Sequence, residues 1–226
     1  MHPFDWNNPE HKSNPYANRD PRLAMSILTN NVEFKDRTIE AWTGGRDGKG
    51  VIHATRTGYY IYKFIDPNLD LLQNRTSVHH WVIMRYAEIL LSYAEAMNEA
   101  YGPTGNVGYR LNAVRALNQV RNRVGVEMPA VPTAISKEEL REKIRNERRV
   151  ELAFEDHRFW DVRRWMIAPE TLGAPLRGVE ITKISDEEFE YKPIEVEKRT
   201  FEPKMYLYPI PQADLNTTGW VQNPLW

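Results

Sequence analysis

The sequence predicts a mainly α-helical protein: a scaffold of paired helices carrying long irregular loops and a few short strands. Three observations carry that prediction. Along RYAEILLSYAEAMNEA (85–100), Arg85, Glu88, Ser92, Glu95 and Glu99 recur at steps of three and four. One polar stripe remains on an otherwise apolar cylinder, the pattern of a largely buried helix. RLNAVRALNQVRNRVG (110–125) places Leu111, Val114, Leu117, Val120 and Val124 on one face and stops at Gly125, a residue suited to the left-handed position after a helix. Residues 1–80 and 169–226, by contrast, hold much of the Gly, Pro and Asn and show no sustained helical period.

Taken in order, residues 1–80 read as irregular chain with a short turn near 23–28 and a strand at GYYIYKF (58–64), where aromatic and β-branched residues are dense. Tyr60 and Tyr62 share one face of that strand, so at least one face is expected to be buried. Residues 81–168 form the helical scaffold. Gly102, Pro103, Gly105 and Gly108 separate the helices of 85–101 and 111–124, and so short a connector makes them antiparallel. Ala87, Ala94, Ala96 and Ala100 are small enough for a second helix to approach closely. After a Pro-rich connector, Ser136 and Glu139 make a capping box and start a third helix through Leu140 and Ile144 toward Phe154. A continuation or fourth short helix carries Phe159, Trp160, Val162 and Trp165 before Pro169. Residues 169–226 return to loops and extended chain. In YLYPIP (206–211) two prolines exclude a helix interior, and the ending QADLNTTGWVQNPLW reads as irregular. Helix pairs set among long loops suggest a tetratricopeptide-like stack, without a clean repeat at ~34 residues.

Composition narrows the function classes. Thirty Lys and Arg stand against 31 Asp and Glu, a formal charge of -1, so no basic excess exists to neutralise a phosphate backbone and nucleic acid is a poor partner. Apolar stretches fall short of the ~18 to 20 residues that cross a bilayer. There are no cysteines, which removes disulfides, thiolate metal sites, a cysteine nucleophile and a lipid-modified cysteine from this segment.

Candidate chemistry is sparse. Glu147, Glu151 and Glu155 fall at i, i+4, i+8 on one helical face, as a glycosidase acid/base pair or a metal site would require. Arg148, Arg158, Arg163 and Arg164 lie close by, however, and interleaved guanidinium groups keep carboxylates ionised, the opposite of what a general acid needs. His79 and His80 are adjacent and point to opposite faces of extended chain, so they cannot chelate one ion. His157 is expected to hydrogen-bond a backbone carbonyl or a carboxylate. GGRDGKG (44–50) matches neither a phosphate loop nor a dinucleotide fingerprint and reads as a flexible loop. No catalytic residue, metal site or cofactor is assigned.

Five segments together resemble the SusD/RagB family: NPYANRDPR (14–22), RYAEILLSYAEAMNEA, LNAVRALNQVRNRVGV (111–126), IRNERRVELAFEDHRFWDVRRW (144–165), and YLYPIP followed by QNPLW (222–226). The resemblance implies the carboxy-terminal part of a cell-surface lipoprotein of the outer membrane. It implies a tetratricopeptide-like scaffold over a TonB-dependent transporter, with an oligosaccharide or peptide bound in its loops and with Arg–Glu pairs and the buried aromatic edges of Phe159 and Trp160 tying the helix pairs together. The export signal, the acylated cysteine that anchors such proteins to the membrane and the first helices are expected outside this segment. The chain departs from the family pattern at Asp156, where glycine is usual, and in ending with Leu225 and Trp226 instead of glycine and an aromatic.

That resemblance implies a non-catalytic glycan-capture subunit, the alternative being a tetratricopeptide-like protein- or peptide-binding scaffold. Sugar rings stack their C–H faces on flat aromatics while their hydroxyls need fixed polar groups at the rim. Within the irregular first 80 residues this points to Trp6, Tyr16 and Trp42, with Asn18 and Arg46 as polar partners. The competing role for each aromatic is a small satellite core beneath the loops. A capture subunit would place exposed Trp and Tyr on loops, and a scaffold would show a concave helical groove.

Overall fold

A computed structural model describes residues 4–78 and 80–226. His79 lies outside the described residues. The architecture is helix-dominated, as the periodicity predicts, with short paired strands and long irregular connections.

Helices α3 (Tyr86–Tyr101), α4 (Ala113–Arg121) and α5 (Lys137–Glu151) enclose the main core. It is built from Leu90, Leu91, Ala94 and Met97 of α3, Val114, Ala116, Leu117 and Val120 of α4, and Leu140 and Ile144 of α5. Within each helix most of these residues are spaced one, three or four apart, which lays them on one side. Ala94, Ala113 and Ala116 are fully buried, and three such short side chains at that crossing let α3 and α4 approach closely. The amide of Val114 donates to the carbonyl of Pro103, so α4 starts where α3 ends. Its far end reaches Glu147 through Arg121, on the same side as Arg85 before α3. The pair is therefore antiparallel, as expected. The capping box at Ser136 and Glu139 is present in full.

Two side-chain amides stitch the connections. Asn98 Nδ2 donates to the carbonyl of Lys137 at 2.9 Å. Asn118 exchanges two hydrogen bonds with the backbone of Val131, at 2.9 and 2.8 Å, and so stands in for a strand against the Pro-rich connector.

Helix α4 ends at Arg121, earlier than its periodicity predicts. Gly125 does take a left-handed conformation, at φ +83°, but Val124 is 94% exposed and leaves the apolar face. The sequence at 121–124 spends its side chains elsewhere: Arg121 and Arg123 turn back to Glu147 and Glu151. Helix α3 is also less buried than its pattern implies. Ala96 and Ala100 are both exposed, as are Tyr86 and Ile89.

Helix α6 (His157–Arg164) is separate from α5. Phe154 and Asp156 both adopt positive φ, +63° and +62°, and break the helix between them. Asp156 therefore occupies a left-handed position, which accounts for the glycine usual there. What ties α6 to the scaffold is charge, the Arg–carboxylate half of the expected tie. Arg148 grips Asp161 with two hydrogen bonds of 2.8 and 3.0 Å, both side chains buried, and also donates to Ser92 of α3. Arg164 binds Glu95 of α3 at 2.6 Å through both terminal nitrogens. The expected aromatic tie is overturned: Trp160 is 57% exposed and Phe159 exposed, and the two rings meet each other edge to face. His157 Nε2 lies 3.7 Å from the carboxylate of Glu88.

The extended segments hold more regular structure than the sequence indicates. After α7 (Ala168–Thr171), strands β5 (Leu176–Lys183) and β6 (Phe189–Glu197) form an antiparallel hairpin with Ile181 opposite Tyr191 and Val179 opposite Pro193. Gln212–Thr218 is a helix, here α8. In the first 80 residues the regular pieces are short: α1 (Pro9–Ser13), α2 (Arg22–Ser26), β1 (Ile27–Leu28), β2 (Glu33–Phe34), β3 (Arg37–Thr38) and β4 (Tyr60–Ile61). β4 pairs with β1, and only two residues of 58–64 are strand. Chain before β4 crosses β5 instead: the amide of Val179 donates to the Thr57 carbonyl at 2.9 Å, and a Cβ on Gly178 would come within 2.7 Å of the Thr57 backbone. Glycine is required there by close approach.

These burial patterns predict two outcomes. Leu117→Ala should cost about 2–5 kcal/mol, the range for emptying a buried Leu site, while Trp160→Ala should cost less than about 1 kcal/mol; equal losses in chemical denaturation would contradict the packing described. Asp156→Gly should stabilise by roughly 0.5–1 kcal/mol through relief at the left-handed position, and a lower melting temperature for that variant would refute the assignment.

Candidate functional site

A second apolar cluster lies under the irregular segments, with Leu28, Ile39, Ala41, Val179, Ile181 and Tyr191 at its centre. The β5–β6 hairpin supplies its floor, because Val179, Ile181 and Tyr191 all point to one side. Trp6, Tyr16 and Trp42 each pack against this cluster and are half-buried. Tyr59, Tyr60 and Tyr62 do so as well; the chain is strand for only two residues, so the alternation that would separate their faces does not persist.

Trp6 meets Phe4 edge to face at 4.8 Å, beside a helix start capped by Asn8. Tyr16 sits edge to face against Tyr59 and Tyr191, and burial pushes its hydroxyl pKa far above the usual value. Trp42 packs on Phe189 at 5.4 Å with Lys183 Nζ 5.0 Å from its ring. Asn18 is exposed at φ +53°. Arg46 reaches back to Glu40 through its backbone amide and guanidinium, at 3.1 and 3.3 Å, with its side chain largely in solvent. The structure thus brings the three aromatics onto one core and leaves the two polar residues at the surface.

The Gly-rich loop at 44–50 is not the loose element the sequence suggests. Asp47 accepts two hydrogen bonds from Arg37, at 2.6 and 2.8 Å, and one from the amide of Glu40. Tyr60 Oη donates to the Asp47 carbonyl at 2.7 Å. The loop folds over Trp42 so closely that a Cβ at Gly45 would lie 2.9 Å from the indole.

The row of carboxylates that runs along α5 and past its end is buried and fully engaged. Glu147 accepts from Arg22 and Arg121, both at 2.6 Å. Glu151 accepts from Arg22, Arg85 and Arg123 at 2.8, 2.7 and 2.6 Å. Glu155 accepts from Arg85 and Lys63. Asp20 orients Arg22 through contacts to its amide, Nε and Nη2, which explains the RDPR spelling before α2. Burial alone would raise the pKa of Glu151 and Glu155; hydrogen bonds from Arg123, Arg22 and Arg85 on the first, and from Arg85 and Lys63 on the second, outweigh it and hold both below the usual glutamate range. The cations responsible are not the sequence neighbours expected. Arg148 and Arg164 serve Asp161 and Glu95, Arg163 stacks among Phe159, Phe201 and Tyr208, and half-buried Arg158 makes no ion pair among the described residues. Among the described residues, no group of three or more carboxylates and histidines could hold a metal, and no helix is long and apolar enough to cross a membrane.

The carboxy-terminal segment is fastened without sheet structure. Gln222 bonds both the amide and carbonyl of Ile210, at 2.8 and 2.9 Å, and Asn223 donates to the Tyr208 carbonyl. Trp226 Nε1 donates to the carbonyls of Lys204 and Leu207. QNPLW thereby closes on YLYPIP, and Leu225 takes φ +71° where glycine is the commoner choice. Exposed aromatics that the sequence did not single out as ligand contacts include Trp81, Tyr208 and Trp220, all on irregular segments, and Trp160. The hairpin floor was missed too, although the alternation of Val179 with Ile181 and of Phe189 with Tyr191 signals it.

Residues 5–226 match the family model described as the SusD family. The chain belongs to the SusD family. A SusD-like protein, P2, from Formosa agariphila is 34% identical over 120 residues, which is 51% of this chain and 22% of that protein. The crystal structure of a SusD-like protein from Bacteroides fragilis superposes with a TM-score of 0.77 at 32% identity, covering 93% of this chain and 40% of the other. A SusD-like carbohydrate-binding protein from the same species superposes with a TM-score of 0.70 at 31% identity, covering 95% and 44%. This SusD-family chain thus spans about two-fifths of the length of these solved relatives.

The paired carboxylates set the acid limit of the fold. The folded pKa values of Asp20, Glu95, Glu151 and Glu155 are depressed, so their contribution is fully present above the unfolded values of about 4 and is lost as pH falls through the folded ones. The melting temperature should hold from neutral pH to about 5 and fall steeply below it. A melting temperature unchanged down to about pH 3 would show that the network contributes nothing.

Proposed function

We propose that this chain is part of a non-catalytic, cell-surface glycan-binding subunit that passes oligosaccharide to a TonB-dependent outer-membrane transporter. The observation that carries this reading is family membership over residues 5–226, together with a relative at 31% identity described as carbohydrate-binding. The arrangement of side chains supports it. Trp6 and Trp42 are half-buried on the loops, with the Arg46 side chain in the loop that follows Trp42. Flat rings with polar groups at their rim are what a sugar face and its hydroxyls recognise. The carboxylates along α5, each held by cations, have no role as a general acid in this reading. Attachment to the membrane would come through a lipid anchor outside these residues.

Titration with oligosaccharides from several polysaccharide classes, followed by tryptophan fluorescence, tests the assignment. The chain should bind one class without releasing sugar from it, and Trp42→Ala or Trp6→Ala should weaken binding by about tenfold, equivalent to ~1.4 kcal/mol. Unaltered affinity in both variants would place the platform elsewhere, and sugar release abolished by Glu151→Gln would make the chain an enzyme.

A further inference from the structure

Among the described residues three arginines are buried, Arg22, Arg148 and Arg163. Arg22 binds Glu147 and Glu151, and Arg148 binds Asp161. Arg163, only 9% exposed, has no ion pair among the described residues. Its one hydrogen bond there runs from Nη2 to the carbonyl of Tyr206, at 2.8 Å. Otherwise its guanidinium packs among rings, 4.9 Å from the centre of Phe159, 5.0 Å from that of Tyr208 and 5.6 Å from that of Phe201. Glu202, next to Phe201 in the chain, binds Lys204 at 3.3 Å instead. An arginine keeps its proton in any protein site, so Arg163 stays a cation. Ring faces offset only part of the cost of taking such a charge out of water.

The rings around this cation face outward. Tyr208 is 58% exposed, and Phe159 is exposed beside Trp160, which it meets edge to face. The two helical rings are fixed by α6, and the Tyr208 backbone is fixed by Asn223 at 2.7 Å. No residue is shared with Trp6 and Trp42, which pack on the cluster over the β5–β6 hairpin. We propose that Phe159, Tyr208 and Arg163 form a second saccharide platform, and that its ligand is an acidic sugar. The sugar ring stacks its C–H face on the aromatics, and its carboxylate or sulfate offers two oxygens to the fork of the guanidinium. A neutral sugar would stack without compensating the charge. This rests on the glycan-binding function proposed for the chain and narrows its ligand to an acidic oligosaccharide.

Calorimetric titration of the full-length polypeptide tests this with oligogalacturonates, alginate oligosaccharides and sulfated galactan oligosaccharides, each beside its methyl-esterified or desulfated form. One acidic class should bind, and removing its charge should weaken binding at least about tenfold. Tyr208→Ala, at an exposed site, should weaken the acidic ligand by about tenfold, and Tyr208→Phe should bind as the wild type does. Arg163→Lys keeps the charge but loses the fork, and should weaken the acidic ligand by about as much. Unchanged affinity in the Tyr208→Ala and Arg163→Lys variants would overturn the proposal, as would equal affinity for the charged and uncharged forms. Binding that is lost in Trp6→Ala or Trp42→Ala but intact in Tyr208→Ala would overturn it while leaving the glycan-binding function standing. No binding of any oligosaccharide, acidic or neutral, would overturn both.

Discussion

Burying three carboxylates in a row is the constraint around which the rest of the molecule is organised. Glu147, Glu151 and Glu155 follow one line along α5 and past its end with almost no solvent contact, and a buried carboxylate without a partner would protonate or unfold the site. Their partners come from four separate places: Arg22 after the amino-terminal turn, Lys63 beyond β4, Arg85 before α3, and Arg121 and Arg123 at the end of α4. None of these segments can shift without leaving a charge uncompensated. Such networks add little net stability over a well-packed apolar core, but removing a single partner is expensive. Here the network acts as a register device that fixes irregular chain against the helices.

That device explains how so much chain without secondary structure stays ordered. A buried loop must satisfy its own backbone groups, and here side chains do so. Asp47 holds the loop at 44–50, Asn118 holds the connector after α4, and Gln222 and Asn223 hold the final turn against residues 208–210. Each is a polar residue inside a segment that reads as featureless. Order of this kind is what a binding loop needs, because aromatic rings held in place lose less freedom when a ligand arrives.

The two departures from the family pattern share one physical cause. Asp156 and Leu225 both sit at positive φ, where glycine has no steric penalty and other residues do. Aspartate tolerates the left-handed region better than most, and its position between α5 and α6 sets the angle at which Asp161 meets Arg148. Leu225 is β-unbranched but bulky; it is held there by the two hydrogen bonds that Trp226 makes to the backbone of residues 204 and 207.

The sequence by itself determined the helices of the scaffold, the antiparallel pairing of α3 with α4, the capping box and the family, because apolar periodicity and local hydrogen bonding are encoded over a few neighbouring residues. It also marked Trp6, Tyr16 and Trp42 as aromatics set among loops, each with a core role as the alternative. Only the tertiary structure decided the rest. Trp160 reads like a core residue and is exposed, because Asp161 and Arg163 take the inner positions of α6. The cations that keep Glu151 ionised come from residues 22, 85 and 123, and no local pattern links them to it. Strand pairing of β5 with β6, the convergence of three aromatics on Val179 and Ile181, and the open side of α3 likewise depend on which distant surfaces meet, a question of shape and long-range charge that no window of sequence contains.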